Sequence, residues 1–289
     1  MTWFYYSELA AFFDASTSAL SKKALEDSDV YTVAWVRYGY ALPFLLCMLL
    51  FIEIPPLDST FFLVTIVLIP LEILALILRI RAIKHSPLSL TLPFLSLTPV
   101  FLIGTSYFML GEKPDESGLI GILLIALGAY LLNVHATREG LLGPLRAIYN
   151  EEGSLLMIAV AFIYSITSNL GKIAILHSAP VFFAAAYPAV IALALFPLMM
   201  TMTKPANGLK SAASRPFFFA TIGASNLLMF VTHNLAIQLI EVPYMLSVKR
   251  TSLIFGVLYG WLLFRETNVR ERLLGGVVML IGVALIVVF

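Results

Sequence analysis

The sequence predicts an all-α polytopic membrane protein, with ten transmembrane helices arranged as two inverted five-helix repeats. Three observations predict it. The 289-residue chain is 60% apolar and only 12% charged, with a mean hydropathy of +0.95, whereas a soluble domain carries about 25% charged residues. Ten apolar stretches approach the ~20 residues that a spanning helix needs. The second five of them echo the first five. No period-two alternation runs through these stretches, and lipid satisfies backbone groups only in helices or closed barrels.

In order, the spans are 3–22, 30–52, 60–80, 87–110, 116–134, 154–175, 179–202, 216–238, 242–264 and 271–289. The first, opening "MTWFYYSELAAFFDAS", lacks the basic leader and small-residue cleavage site of a signal peptide and reads as a retained helix. Pro43, Pro70, Pro93, Pro99 and Pro188 interrupt the second, third, fourth and seventh spans. Between the fifth and sixth lies "HATREGLLGPLRAIYNEEG", a linker that suits a short interfacial helix. The chain thus divides into a first repeat (1–134), a linker (135–153) and a second repeat (154–289).

The repeat is legible in residues. "TSALSKKA" (17–24) matches "TSNLGKIA" (167–174) at a shift of 150. A shift of 154 pairs "AIKHSP" from Ala82 with "AIQLIE" from Ala236, Glu112 with Glu266, Gly121 with Gly275, and Gly128 with Gly282. An odd number of helices per repeat inverts the second copy, and charge placement agrees. Thirteen of 18 Lys and Arg lie in or beside the odd-numbered loops: Lys22, Lys23, Arg79, Arg81, Lys84, Arg138, Arg146, Lys204, Lys210, Arg215, Arg265, Arg270 and Arg272. Lys113 and Lys172 lie on the other side. Because cytoplasmic loops concentrate cations, both termini are expected outside. Inverted repeats place a substrate site near the midplane between the halves.

Composition excludes much else. A net charge of +1 leaves no basic surface for nucleic acid, and the single cysteine, Cys47, has no partner for an intrachain disulfide or a metal site. No HExxH, GxSxG or Gly-rich phosphate loop is present. Ser225 and His233 lie ~12 Å apart along one helix, too far for a nucleophile and its base. The expectation is therefore no enzyme, no cofactor and no metal.

Several motifs resemble the EamA repeat of the drug/metabolite transporter superfamily. "YFMLGEKPDESGLIGILLIALGAYLL" (107–132) resembles its end, a helix closing on Gly-Glu and then a helix with glycines seven apart. "WLLFRETNVRERLLGGVVMLIGVALIVV" (261–288) repeats it with Arg265 in place of the Gly. "SNLGKIAI" and "SALSKKAL" are similar to the family's Ser-Asn-x-x-x-Lys stretch, with Ala19 departing from it in the first copy, and "WVRYGYALP" resembles its arginine-bearing second helix. The resemblance implies a ten-helix alternating-access permease of a bacterial or archaeal cytoplasmic membrane. It also implies cytoplasmic termini, against which we weigh the larger charge bias. "SVKRTSLIFGVLYGWLLF" (247–264) is similar to the Val-Lys-Arg stretch of plastid triose-phosphate translocators, where the pair binds phosphate. That similarity implies substrate-anion binding by Lys249 and Arg250.

Intramembrane ionisable residues are expensive and mark function by default. Lys249 and Arg250 lie a third of the way into the ninth span, while their first-repeat counterparts, Leu95 and Ser96, are neutral. Two readings fit: a transient anion such as a phosphorylated metabolite, or permanent pairing with Glu72 or Asp14. Those two carboxylates are also the candidates for proton coupling, because burial favours a neutral acid. Arg37 suits an ion pair with a carboxylate such as Glu72, or substrate contact. His233, Asn234 and Asn169 are candidate hydrogen-bonding residues, and Tyr38 and Tyr187, with Tyr244, suit either a cavity wall or packing. Lys172 suits the interface or a cavity, and Glu8 suits solvent at the membrane edge. Glu112 and Glu266 read as caps that close the 4–5 and 9–10 hairpins, with Gly121, Gly128, Gly275 and Gly282 letting those hairpins pack closely.

The expected partners are the lipid bilayer, a small organic anion and, with coupling, protons. A rival reading is a proton-coupled exporter of amino acids or of cationic or amphipathic compounds. A non-transporting scaffold has no use for the inverted repeat. Monomer and homodimer both remain open.

Overall fold

Helix is the only regular structure among the described residues, 1–86, 92–134, 152–203, 205–265 and 269–288 of the computed structural model. The first half comprises α1 (Thr2–Ala24), α2 (Val30–Gly39), α3 (Leu42–Phe51), α4 (Ser59–His85), a 3₁₀ turn (Leu92–Ser96) leading into α5 (Leu97–Leu110), and α6 (Glu116–Val134). The second comprises α7 (Glu152–Leu176), α8 (Pro180–Met202), α9 (Pro205–Ser214), α10 (Pro216–Ile237), α11 (Val242–Lys249), α12 (Ser252–Phe264) and α13 (Val269–Val288). Five spans, Val30–Phe51, α4, α7, α8 and α10, are individually long and apolar enough to cross a bilayer. The expected linker helix and the Glu266 cap fall at 135–151 and 266–268, outside the described residues.

Three spans differ from uninterrupted helices. The second breaks at Tyr40–Ala41. Pro43, in the first turn of α3, has no N–H to give and would clash with the preceding carbonyls of a continuing helix. The ninth breaks at Arg250–Thr251, where Arg250 N–H bonds Ser247 O (3.0 Å), Thr251 N–H bonds Val248 O (3.0 Å) and Leu253 N–H bonds Arg250 O (2.9 Å). These bonds span three residues instead of four, so the helix tightens locally to 3₁₀, a geometry that often marks hinges. The fourth span does the same at Leu92–Ser96, which the shift of 154 places on 246–250. Both spans also end in a left-handed residue, Gly111 (φ 71°) and Arg265 (φ 52°), related by the same shift. The third span runs on to His85, further than expected, and α9 forms where no helix was expected.

The halves interdigitate about this pseudo-twofold relation. α1 packs on α10 as α7 packs on α4; α2 and α3 pack on α8; α5 packs on α7 as α12 packs on α1; and α6 packs on α13. That last contact corrects the expected role of the glycines. They close the fifth span on the tenth, across the two halves, rather than each hairpin on itself. A Cβ on Gly128 would lie 2.6 Å from both Gly275 O and Met279 N, and one on Gly282 would lie 2.6 Å from Gly121 O. Only glycine permits so close a backbone approach.

Candidate functional site

The broken ninth span delivers Lys249 and Arg250 to the middle of the bundle, where both are buried. They line one cavity together with Asp14, Arg37, Glu72, Arg79 and His233, with Tyr38, Tyr164 and Tyr187 among its other walls. About 90 Å³ of it admits the centre of a water-sized sphere, room for several waters or one small organic molecule. The lining runs to Ile175 and Ile237, in the last turns of α7 and α10, so the cavity extends from mid-bundle toward the face where α8 and α11 begin.

Asp14 is committed. Arg79 Nη2 donates to its two oxygens at 3.1 and 3.0 Å and to Ser18 Oγ at 2.8 Å, and the guanidinium lies 6.0 Å above the Tyr164 ring. The sequence reading placed Arg79 at a loop because it ended the third span at 80; the longer α4 buries it instead. Arg37 is likewise buried, yet its partner is no carboxylate. Its Nε and Nη2 donate to Asn226 Oδ1 at 3.4 and 3.2 Å, and its Nη1 has no partner. Asn226 is the residue that the shift of 154 pairs with Glu72. Glu72 itself lines the cavity, as does Thr167, and has no ion pair among the described residues.

Neither cation at the helix break has a carboxylate within 4 Å among the described residues, Asp14 being paired with Arg79. Lys249 Nζ contacts His233 Nδ1 at 3.2 Å and Met229 Sδ at 3.4 Å. An ammonium only donates, so Nδ1 accepts and His233 carries its proton on Nε2. Arg250 Nε is buried without a partner. The cavity therefore holds four cations, Arg37, Arg79, Lys249 and Arg250, against two carboxylates, Asp14 and Glu72. Its lining residues also bear four buried unpartnered polar atoms: Arg37 Nη1, Arg79 Nε, Arg250 Nε and Tyr187 Oη.

The other sequence candidates divide. Tyr38 and Tyr187 line the cavity; so does Asn234, whose Nδ2 donates to Phe230 O on its own helix at 2.9 Å. Asn169 does not line it: its Oδ1 accepts from Ser106 at 2.7 Å, in the α5–α7 contact. Lys172 also stays outside, donating to Glu112 Oε1 at 2.5 Å and Ile240 O at 2.8 Å, while Glu112 Oε2 accepts from Val242 N at 2.8 Å. Glu112 thus ties α7 to the start of α11 rather than merely capping a hairpin. Tyr244 bonds Asp115 at the 4–5 loop. Glu8 is not free in solvent, since Thr251 Oγ1, next to Arg250, donates to it at 3.1 Å. Tyr164, Thr167 and Ser168 were missed, though they line the cavity with Gly171 and Ile175 at helical spacing along α7.

Comparison with known proteins agrees with this architecture. The profile of the EamA-like transporter family matches residues 1–134 and again 152–288. A solved structure described only as "Crystal structure of protein" shares the fold, with a TM-score of 0.68 and 16% identity over 98% of this chain and 95% of that one. Among curated proteins none matches. Two copies of one family profile cover nearly the whole chain, and the chain belongs to the EamA-like transporter family, as an integral membrane transporter of the drug/metabolite type.

Proposed function

We propose that this transporter carries a small organic anion, bound at mid-membrane by Lys249 and Arg250 and exposed alternately to the two sides. One observation carries the reading: four buried cations share the cavity with two carboxylates, and three of the cations present N–H groups without acceptors. Unpaired buried charge is strongly unfavourable. A carboxylate or phosphate offsets it, Arg250 offering planar paired donors and Lys249 a point charge. The 3₁₀ segments in the fourth and ninth spans are the hinges on which the two repeats, 1–134 and 154–289, rearrange. Arg37, His233 and Asn234 contribute further donors. Placed by charge bias, the termini lie outside and the cavity extends toward the outer face.

Purified protein in liposomes, screened for uptake of labelled anions against an internal anion pool, tests this. Lys249→Gln and Arg250→Gln are each expected to reduce anion uptake at least tenfold while the fold persists. Normal uptake by both variants would refute the anion site. Proton coupling is a second reading favoured by Glu72, a cavity carboxylate without an ion pair among the described residues. Glu72→Gln then abolishes pH-driven uptake but leaves exchange intact. The cationic-substrate alternative requires instead that Glu72→Gln remove cation export.

A further inference from the structure

The cavity has a second chemistry besides its cations. Phe183 and Tyr187 on α8 stack with centroids 4.9 Å apart and planes 12° from parallel. Phe230 on α10 meets Tyr187 at 6.0 Å and, edge-on, Tyr38 on α2 at 5.6 Å. All four line the cavity and all are buried. They hold one another, so the wall stands preformed. It draws on α2, α8 and α10, whereas Asp14, Arg79, Lys249 and Arg250 come from α1, α4 and the α11–α12 break.

This wall ends in a polar atom that packing alone does not explain. Tyr187 Oη is buried and unpartnered, and a buried hydroxyl left without a bond is unfavourable. The shift of 150 that aligns α2 with α8 makes Tyr187 the repeat counterpart of Arg37, another cavity residue with an unpartnered donor, Nη1. A flat aromatic wall, an unpartnered hydroxyl on it and unpaired cations in the same cavity describe a planar ligand that carries an anionic group and a second polar atom.

We infer that the substrate is a small aryl carboxylate bearing a hydroxyl or carbonyl oxygen remote from the acid. Its carboxylate lies between Lys249 and Arg250, its ring packs on Phe183, Tyr187 and Phe230, and its distal oxygen meets the Tyr187 hydroxyl. The inference rests on the anion reading above. Aromatic pairs add selectivity beyond apolar burial, of up to about tenfold in affinity. The restricted space favours one ring over a nucleotide-sized ligand.

Calorimetric titration of the purified protein in detergent with 4-hydroxybenzoate, benzoate and cyclohexanecarboxylate tests it. The expected order is 4-hydroxybenzoate tightest and cyclohexanecarboxylate weakest, spanning about tenfold. Tyr187→Phe, which removes one oxygen, is expected to erase the preference for 4-hydroxybenzoate over benzoate and spare benzoate. Phe183→Leu is expected to weaken both aryl acids about fivefold and leave cyclohexanecarboxylate unchanged. Arg250→Gln abolishes binding of all three. Equal binding of the three acids, still lost in Arg250→Gln, overturns the aryl inference and leaves the anion site standing. Binding that survives both Arg250→Gln and Lys249→Gln overturns both, and so marks partition into the micelle.

Discussion

Asn226 Oδ1 receives Arg37 Nη2 at 3.2 Å, so a neutral amide holds a buried guanidinium at the position where the other repeat carries Glu72. The pseudo-symmetry thus stops short of the charges. Had both copies kept the carboxylate, it would pair with Arg37, one of the cavity's cations. Asn226 is a point where an inverted scaffold, indifferent to sign, leaves a cavity cation without a carboxylate partner.

Asn226→Asp tests that directly. The new carboxylate pairs with Arg37 and neutralises one of the four cavity cations from behind the lining. Anion uptake into liposomes is expected to fall at least tenfold while the apparent melting temperature holds or rises. Asn226→Leu removes the only acceptor that Arg37 has among the described residues and is expected to lower stability by about 1–3 kcal/mol. Normal anion transport by the Asn226→Asp carrier would show that the surplus has no role.

The Asp14–Arg79 pair makes a contrasting prediction. Removing one member of a buried pair leaves the other uncompensated, at about 3–5 kcal/mol. Asp14→Asn should therefore melt far below wild type, and Asp14→Asn with Arg79→Gln should recover part of the loss. Asp14 is held by Arg79, so under the proton-coupling reading Glu72 is the carboxylate expected to carry it. Comparing pH profiles of uptake in Asp14→Asn and Glu72→Gln separates the two, with only Glu72→Gln expected to flatten the profile.

What the sequence displayed and what it hid follow from one distinction. The spans, the repeat and the break near Pro43 are properties of local composition or of the chain compared with itself. Lys249, Arg250, Arg37, Glu72 and Asp14 stand out because charge inside an apolar run is conspicuous wherever it points. Partner choice is a property of packing. Asp14 lies 65 positions from Arg79 and Arg37 lies 189 from Asn226, and no periodicity links such residues. Arg79 escaped notice because hydropathy falls off near the cation-rich "RIRAIKH" before the helix ends. Asn169 was drawn in by its polarity, though it faces Ser106. The glycine spacing was legible, but the partner was not: seven-residue spacing fits any close helix.

The α6–α13 seam gives a third prediction. A Cβ at Gly128 would press on backbone atoms, Gly275 O and Met279 N, both at 2.6 Å. Backbone does not rotate away as a side chain does, so Gly128→Val is expected to destabilise by at least the ~1–3 kcal/mol of ordinary overpacking. Gly104, with open space around its Cβ position, is the control: Gly104→Ala should be neutral or slightly stabilising within a helix. Paired melting curves in detergent decide it, and equal melting of the two variants would remove the seam from the account.

Asp29, in the 1–2 loop, gives a prediction about acid. Its Oδ1 accepts from Tyr31 N (2.8 Å), Thr32 N (3.0 Å) and Thr203 Oγ1 (2.9 Å), and its Oδ2 accepts from the Thr32 hydroxyl. It therefore caps α2 and ties the 1–2 loop to the end of α8. Burial pushes this carboxyl up, but the Thr32 hydroxyl and N–H, the Thr203 hydroxyl and Tyr31 N–H together bring it below its ordinary value of 3.8. A depressed acid contributes stability that is fully present above its unfolded value and is lost as pH falls through the lower folded one. Asp29→Ala is then expected to cost about 0.5–2 kcal/mol at pH 6, as for other helix caps, and progressively less below pH 4. Asn keeps the acceptor without titrating, so Asp29→Asn should retain most of the cap and show a stability that no longer tracks this proton. Melting temperatures of the three proteins between pH 3 and pH 6 read it out. A gap between wild type and Asp29→Ala that stays constant across that range would mean that the cap holds through its geometry alone.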